Sequence, residues 1–233
     1  MDAERYDAWY DSPLGAFCFA KELDLLRLGM GDLADRSVLE VGCGTGRFLL
    51  SLGKNTSKAI GVDRDEAMLD IARSHTPPTA TSFHWIQADA ASLPFPDGAF
   101  DVVFESTLLC FQSDPARVIW EMVRVCLSGG TIVFGELNPF SPWQLWRRAK
   151  GWLGDSAWRD ARWHSPRILM RILSESSYRT TLAGRSLFLV PAVSHGLLLE
   201  TTEQLGRHVC PWVGAYYVVS AVKQVNVIAP VGH

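Results

Sequence analysis

The segment from Ser37 to Gly46 constrains the fold of this chain more than any other. It reads Ser-Val-Leu-Glu-Val-Gly-Cys-Gly-Thr-Gly, so an apolar run typical of a buried strand leads into three glycines at alternate positions. Glycine tolerates positive φ and allows another molecule to approach the backbone closely. The next residues, Arg47 to Leu52, have the composition of the first turns of a helix. A strand, a glycine turn and a helix N-terminus together predict a cradle for a nucleotide-like cofactor.

Composition excludes several other classes of protein. With 233 residues, of which 48% are hydrophobic and 20% charged, the chain is expected to form one large globular domain. A net charge of −3 is not typical of a nucleic-acid binder, and no nucleic-acid partner is expected. The five cysteines are odd in number, scattered and never spaced as C-x-x-C. This pattern favours free thiols over a disulfide framework or a zinc site.

The ends and the hydropathy of the chain bear on its location. The N-terminus carries charged residues rather than the apolar run of a secretory signal. A run of about 18 apolar residues, which would predict a membrane span, does not occur in the sequence. We therefore expect a cytoplasmic protein.

Strands and helices alternate after the glycine segment. Short apolar strands are predicted at residues 59–63, 83–88, 100–104 and 131–134, another within 178–190 and the last at 215–222. Such alternation predicts a parallel sheet with helices on both faces. Ligands of these sheets lie outside the carboxyl ends of the strands. Five residues are predicted to share that edge: Gly42, Asp63, Asp89, Glu105 and Glu136.

Asp63 ends the second predicted strand and precedes a helical stretch. A carboxylate at this point can accept hydrogen bonds from both hydroxyls of a ribose. The alternative is that Asp63 only caps the following helix, as Asp commonly does. The glycine segment upstream favours the ribose role.

Six short motifs follow one another in order. They are Val38–Gly46, Gly61–Asp63, Ala88–Ala90, Leu93–Asp97, Phe100–Phe104 and Leu127–Gly130. The set resembles the class I S-adenosylmethionine-dependent methyltransferases, in particular the ubiquinone/menaquinone-methyltransferase-like (methyltransferase type 11) group. The resemblance covers residues 37–136 closely. It implies an α/β, Rossmann-like fold with a seven-stranded, mostly parallel sheet, helices on both faces, an antiparallel last strand and helical cap elements.

The resemblance also implies a cofactor, S-adenosylmethionine, and a product, S-adenosylhomocysteine. It assigns the methionine end and the sulfonium region to one set of residues: Glu40, Gly42, Cys43, Gly44, Gly46 and, lining the methionine moiety, Glu105. Glu105 departs from the small residue that is common at its position. The adenosine end is assigned to a second set: Asp63 for the ribose, Arg64 and Met68 flanking the adenine, Asp89 for its amino group and Ala90 for a backbone contact.

A nicotinamide-dependent dehydrogenase is the nearest rival interpretation. Its fingerprint is G-x-G-x-x-G, but here the third glycine, Gly46, comes one residue early and Arg47 occupies the fingerprint position. The G-x-G-x-G form favours S-adenosylmethionine. Two further classes stay open on the sequence: a protein that binds this cofactor or its product without transferring methyl, and a methyltransferase that acts on protein or RNA.

The predicted function is methylation of a small or lipid-like molecule by in-line transfer. Such a reaction needs positioning more than a fixed catalytic residue, so none is assigned. A general base would help a hydroxyl or acidic-carbon acceptor. The candidates for that base are Glu105, Glu136, Tyr6, Tyr10 and His164. Acceptor contacts are predicted from Tyr6, Tyr10, Glu136, Asn138, Trp143 and His164, and no metal site is expected.

Residues 143–171 are rich in tryptophan and arginine. Five of the nine tryptophans lie between Trp143 and Trp163, and seven basic residues stand against two acidic ones across the segment. This composition is typical of a lid over an amphipathic or acidic acceptor, or of a peripheral contact with a membrane surface. The alternative is a plain helical cap with packed tryptophans and solvated arginines.

The chain is therefore predicted to be one methyltransferase domain over residues 1–233. Its four parts are an N-terminal helical arm (1–36), a cofactor-binding core (37–136), a Trp/Arg-rich cap and helix (137–176), and C-terminal strands with an inserted helix (177–224).

Overall fold

The computed structural model describes residues 2–79, 82–152, 161–174, 178–188 and 196–223. The helices are α1 (Ala3–Trp9), α2 (Pro13–Met30), α3 (Arg47–Leu52), α4 (Glu66–His75), α5 (Pro115–Val125), α6 (Pro142–Trp152), α7 (Pro166–Ser174) and α8 (Gly196–Val209). The strands are β1 (Ser37–Val41), β2 (Lys58–Asp63), β3 (Phe83–Gln87), β4 (Phe100–Ser106), β5 (Cys126–Leu137), β6 (Tyr178–Ser186) and β7 (Tyr216–Lys223). A short 3₁₀ turn, Leu109–Phe111, follows β4.

The strands form one sheet in the order β3-β2-β1-β4-β5-β7-β6. Neighbouring strands from β3 to β5 pair in parallel, whereas β7 runs antiparallel to both β5 and β6. The seven strands and the antiparallel last strand confirm the predicted fold class. The order reverses between β1 and β4, and ligands of doubly wound sheets bind at such a reversal.

Apolar side chains cover both faces of the sheet. On one face α5 and α7 bury Ile119, Met122 and Leu169 against the strands. On the other face α2 and α3 bury Leu26 and Leu49. Because the central strands are covered on both faces, they can be almost wholly apolar, as β1 is at Val38, Leu39 and Val41.

The N-terminal arm differs from the sequence prediction. The Ser-Pro-Leu-Gly sequence of Ser12–Gly15 predicts a turn, but α2 begins at Pro13, with the Ser12 hydroxyl accepting a hydrogen bond from the Gly15 amide at 3.0 Å. A serine cap followed by proline at the first helical position starts a helix as well as it forms a turn. The aromatic segment before it is itself a helix, α1.

The end of the helix after Asp114 also differs from the prediction, and parts of the predicted cap and tail lie outside the described residues. Asp114-Pro115 and the apolar spacing after it predict a helix that Ser128–Gly130 closes. In the structure α5 ends at Val125, and Ser128–Gly130 lies within the long strand β5, where Gly129 has φ of +82°. Residues 153–160 of the predicted cap, 175–176, 189–190 and the tail at 225–233 lie outside the described residues.

None of the helices described is both long enough and apolar enough to cross a membrane.

Candidate active site

The glycine loop leaves the carboxyl end of β1 at the point where strand order reverses. Gly42, Gly44 and Gly46 all have positive φ, at +71°, +52° and +74°. The amides of Gly42 and Cys43 both donate to the Val62 carbonyl of β2, at 2.7 and 2.9 Å. A side chain on Gly42 would collide with Leu108, since a Cβ there would lie 2.6 Å from Leu108 Cδ1. The loop thus requires glycine both for its conformation and for its close packing.

Asp63 is bonded to the glycine loop and to the start of α4. Its Oδ2 accepts a hydrogen bond from the Gly44 amide at 2.8 Å, and its Oδ1 accepts one from the Asp65 amide at 3.0 Å. A carboxylate has about four acceptor sites, so each oxygen retains capacity for a further donor. The helix α4 is capped by Asp65 instead, whose side chain accepts from the Ala67 amide. Asp63 is therefore free of the capping role that the sequence left open.

Glu40 lies beneath the loop and is buried, with 1% of its surface exposed. Its Oε2 accepts a hydrogen bond from the Leu49 amide of α3 at 3.0 Å. Burial, and to a lesser extent the Asp63 charge, raises the pKa of Glu40 well above its ordinary value. Its carboxyl fixes the start of α3 relative to β1.

The residues assigned to adenosine lie along the ends of β2 and β3. Arg64 is exposed, and Met68 is buried in the first turn of α4. Asp89 is exposed and its Oδ1 accepts a hydrogen bond from the Ala91 amide at 2.9 Å, while Ala90 is largely buried. The amide of Ala88 donates to the Asp63 carbonyl, which ties this loop to the end of β2.

Helix α1 covers the glycine loop. The Tyr6 ring lies over Gly44, where a Cβ would be 3.4 Å from Tyr6 Cε1. Its hydroxyl bonds to that of Tyr10 at 2.9 Å. Asp7 holds the helix in place through a bidentate ion pair with Arg47 of α3, at 2.7 and 2.9 Å. Burial opposes ionisation of Asp7, but hydrogen bonds from Arg47 and Thr45 prevail and lower its pKa.

Glu105 and Glu136 form a wholly buried pair at the ends of β4 and β5. One oxygen of each accepts a backbone hydrogen bond, Glu105 from Leu108 at 2.9 Å and Glu136 from Leu109 at 2.7 Å. Their other oxygens are buried without a donor among the described residues. Burial raises the pKa of both carboxyls, and the Glu136 charge raises that of Glu105 further. Burial beside a second carboxyl therefore favours the protonated form of Glu105, and the two backbone hydrogen bonds anchor the turn after β4.

The remaining predicted acceptor residues serve different purposes. Asn138 donates to the carbonyls of Trp212 and Gly214 at 2.8 and 2.9 Å and accepts from the Phe140 amide. The nitrogen and the oxygen of its side-chain amide are thus both hydrogen-bonded, and they join the end of β5 to the segment before β7. Trp143 is 4% exposed and packs in the core beside α2.

His164 lies beside the turn after β4. Its carbonyl accepts a hydrogen bond from the Tyr217 hydroxyl at 2.8 Å. The imidazole Nε2 is buried and has no hydrogen-bond partner within the described ranges. Burial is the main cause that lowers the pKa of this imidazole, so the ring is neutral at physiological pH.

Several residues near the site were not singled out from the sequence. They are Asp7 and Arg47, which fasten α1, and Glu22, Gln144 and Arg147, which are buried polar groups of α2 and α6. Across the described part of the chain, no cluster of three or more His, Cys, Asp or Glu side chains could hold a metal ion.

The loop geometry fits the cofactor that the motifs imply. The glycines with positive φ leave the backbone uncovered by side chains at the point where the strand order reverses. Asp63 beside them can accept further hydrogen bonds. Fold and motifs define a class I S-adenosylmethionine-dependent methyltransferase, with S-adenosylmethionine as its cofactor. Residues 39–134 match the family described as "Methyltransferase domain".

Similar proteins cover different shares of the chain. An uncharacterised protein of Mycobacterium tuberculosis is 34% identical over 178 residues, which are 76% of this chain and 59% of the relative. The demethylmenaquinone methyltransferase of Lactococcus lactis is 36% identical over 137 residues, 55% of this chain and 54% of the relative. The chain thus spans little more than half the length of these relatives.

A solved structure from Thermotoga maritima matches almost the whole chain. It is described as a SAM-dependent methyltransferase and possible histamine N-methyltransferase, has a TM-score of 0.73 and is 24% identical, and the match covers 95% of this chain and 96% of that one. At this identity the likeness establishes the fold.

Proposed function

We propose that this chain transfers a methyl group from S-adenosylmethionine to a small or lipid-like molecule. The observation that carries the proposal is the glycine loop, whose Gly44 amide is bonded to Asp63 at the point where strand order reverses. When bound, the cofactor supplies a methyl group on a positively charged sulfur. The methyltransferase family and the quinone methyltransferase relative support the same class of reaction.

The chain's own residues hold the two ends of the cofactor. Asp63 accepts hydrogen bonds from the ribose hydroxyls with the acceptor sites that Gly44 and Asp65 leave open. The glycine loop presents backbone to the methionine end, and Glu40 keeps β1 and α3 in register beneath it. Asp89 and Arg64 are exposed at the adenine end.

Transfer in line requires that the acceptor atom be held against the methyl group. Three segments are the candidates for that role: α1, whose Tyr6 ring lies over Gly44, α6, which follows the end of β5, and residues 161–165. The Arg162 amide donates to the Cys110 carbonyl at 2.8 Å, which fixes the last of these segments to the turn after β4. These segments are where acceptor contacts form.

Exposed apolar side chains near α6 support a lipid-like or amphipathic acceptor. Phe140, Leu145 and Trp146 are 74%, 70% and 40% exposed. The Arg148 guanidinium lies 5.3 Å from the centre of the Trp163 ring. Aromatic and basic side chains side by side suit an amphipathic molecule, and they suit peripheral contact with an anionic membrane surface as well.

Methyl transfer can be measured directly. The protein is incubated with radiolabelled S-adenosylmethionine and separate panels of quinols, phenols, amines and thiols, and label in each acceptor is counted. The wild type is expected to label at least one class, and Asp63→Ala is expected to lose that labelling. Asp70→Ala is the control, because Asp70 is exposed on α4 and pairs only with Arg73 among the residues described.

Other outcomes would replace the proposal. Binding of the cofactor with no transfer to any acceptor would favour a binding protein without methyltransferase activity. Labelling of protein or RNA in an extract, and of no small molecule, would favour a macromolecular acceptor.

A further inference from the structure

A carboxyl group lies on the buried stripe of α2. Gly15, Cys18, Glu22 and Leu26 follow one another at helical spacing on the covered face of the helix. Glu22 is 7% exposed. Its carboxyl makes no hydrogen bond or ion pair with any described residue, although a buried carboxyl without a partner is costly. A ligand that bonds to it would remove that cost.

The surroundings of Glu22 come from four elements. Burial is the main cause that raises the pKa values of Tyr6, Tyr10, Cys18 and Tyr216, and the Glu22 charge adds to each of them. Arg147 of α6 acts in the opposite direction and lowers the pKa of Glu22, which burial brings to about 8. These groups on α1, α2, α6 and β7 therefore lie close enough to Glu22 to interact with its charge.

One of these groups, Tyr6, lies against the glycine loop. Tyr6 lies with its ring over Gly44, and its hydroxyl is within the field of both Glu22 and Asp63. The Tyr216 hydroxyl bonds to that of Ser106 at 2.8 Å, at the end of β4. The Glu22 charge therefore acts on one group beside the glycine loop, Tyr6, and on one beside the end of β4, Tyr216.

A second buried polar group faces no partner. Gln144, on the buried side of α6 one turn before Arg147, is 1% exposed, and neither its amide oxygen nor its amide nitrogen has a hydrogen bond within the described residues. The Ser141 hydroxyl beside it is likewise buried and unbonded there. Buried polar atoms in proteins are nearly always satisfied, so an amide unbonded at both ends indicates a missing donor and acceptor.

We propose that Glu22 and Gln144 form the polar wall of the acceptor site, which takes a head group with a nucleophilic O–H or N–H and a second polar atom. Glu22 accepts the hydrogen bond of the nucleophile and Gln144 orients the second atom. This inference rests on the proposed function and narrows its substrate class to hydroxyls and amines. An apolar tail, where present, extends toward the exposed side chains near α6.

The proton balance assigns Glu22 its part in the reaction. As the acceptor oxygen or nitrogen bonds to the methyl carbon, the carbon–sulfur bond breaks and its electron pair stays with sulfur. The proton of the acceptor moves to the Glu22 carboxylate and later leaves to solvent. Glu22 must therefore be ionised at the start of each turnover.

Ligand-induced thermal shifts test the site without requiring turnover. The full chain, saturated with S-adenosylhomocysteine, is heated with phenol, catechol or aniline, and with toluene as the apolar match. The wild type is expected to be stabilised by the polar compounds and not by toluene. In the wild type, the shift of the melting temperature by a polar compound therefore exceeds that by toluene. Glu22→Gln and Gln144→Leu are expected to lose at least half of this excess. Asp24→Asn, exposed on the same helix, is expected to retain it.

Equal shifts for phenol and toluene in the wild type, or an unchanged difference in both variants, would overturn the site. Failure of S-adenosylhomocysteine to bind would instead overturn the proposed function, so the two failures are distinguishable. The variants are compared with S-adenosylhomocysteine bound, so the affinity of each variant for S-adenosylhomocysteine also reports whether that variant is folded.

The pH dependence of methyl transfer supplies a second readout. With a pKa of about 8 for Glu22, the wild-type rate is expected to rise roughly twenty-fold between pH 6.5 and 8.5. Glu22→Gln is expected to be roughly 100-fold slower and to lose this rise, with product affinity unchanged. A wild-type profile retained in Glu22→Gln would contradict the proton-accepting role.

Discussion

Asp63 shapes the glycine loop and keeps acceptor sites for a ligand. Its two oxygens accept hydrogen bonds from the Gly44 and Asp65 amides, so the carboxylate fixes the conformation of the loop beside it. The remaining acceptor sites point to a ligand with paired hydroxyls, as a ribose has.

Removing that carboxylate should weaken cofactor binding. Asp63→Ala is expected to raise the dissociation constant for S-adenosylhomocysteine at least ten-fold, about 1.4 kcal/mol or more, because hydrogen bonds to a charged group are lost. Isothermal titration calorimetry measures the effect, with Asp70→Ala as control. Equal affinities in wild type and Asp63→Ala would remove Asp63 from the site.

Glu22 makes a prediction about stability as well as about the acceptor. Its pKa is about 8 in the folded protein against 4.5 in the unfolded chain, mainly because it is buried. Between these values the folded state keeps a proton that the unfolded state releases, so the free energy of unfolding falls as pH rises through this window. The full effect is on the order of 4–5 kcal/mol, reached above pH 8.

Glu22→Gln should remove this dependence. Relative to wild type, the variant is expected to gain stability progressively from about pH 5 to pH 8.5, because glutamine has no charge to bury. Urea denaturation at a series of pH values gives the free energy of unfolding of each protein. Subtracting the wild-type value from that of Glu22→Gln cancels the contributions of the other buried carboxyls. A difference that does not change with pH would mean that Glu22 titrates normally.

At the scale of elements, α1 is the part most dependent on tertiary contacts. It has only seven residues, and such short helices are marginal in water without packing. The Asp7–Arg47 pair and the Tyr6 ring over Gly44 hold it against the loop. This explains why the sequence did not predict it: the aromatic and acidic residues that fasten it do not repeat as an amphipathic helix does.

Breaking the pair should loosen α1 over the cofactor loop. Asp7→Asn is expected to speed amide hydrogen exchange in residues 3–10 roughly ten-fold or more, since a bidentate charged contact is lost. Exchange in the central strands should not change. Glu4→Gln, an exposed acidic position on the same helix, is the matched control. Equal exchange in Asp7→Asn and wild type would show that packing alone holds the helix.

For the whole molecule, the geometry of the glycine-loop end of the sheet could be predicted from sequence, and that of the proposed acceptor side could not. The glycine loop, Asp63 and the end of β3 lie close together in the chain and obey strong local rules about turns and strand ends. The proposed acceptor side combines α1, α2, α6 and β7, whose contacts no local pattern encodes. Asn138, expected to touch the acceptor, is occupied by the carbonyls of Trp212 and Gly214.

One local signal on the acceptor side was available. Spacing from Gly15 through Cys18 and Glu22 to Leu26 places a carboxyl on the apolar stripe of α2, and a charged residue on such a stripe indicates either a partner or a function. Gln144 gave no such signal, since its burial depends on how α6 lies across the edge of the sheet.

The most direct test of the account is the choice of ligand by the wild-type chain. Thermal unfolding is followed with S-adenosylmethionine, S-adenosylhomocysteine or NAD in excess. At one hundred times its dissociation constant, S-adenosylhomocysteine should raise the apparent stability by about 2.7 kcal/mol, while NAD should leave the melting temperature unchanged. Stabilisation by NAD without stabilisation by S-adenosylhomocysteine would contradict the assignment of the glycine loop and everything built upon it.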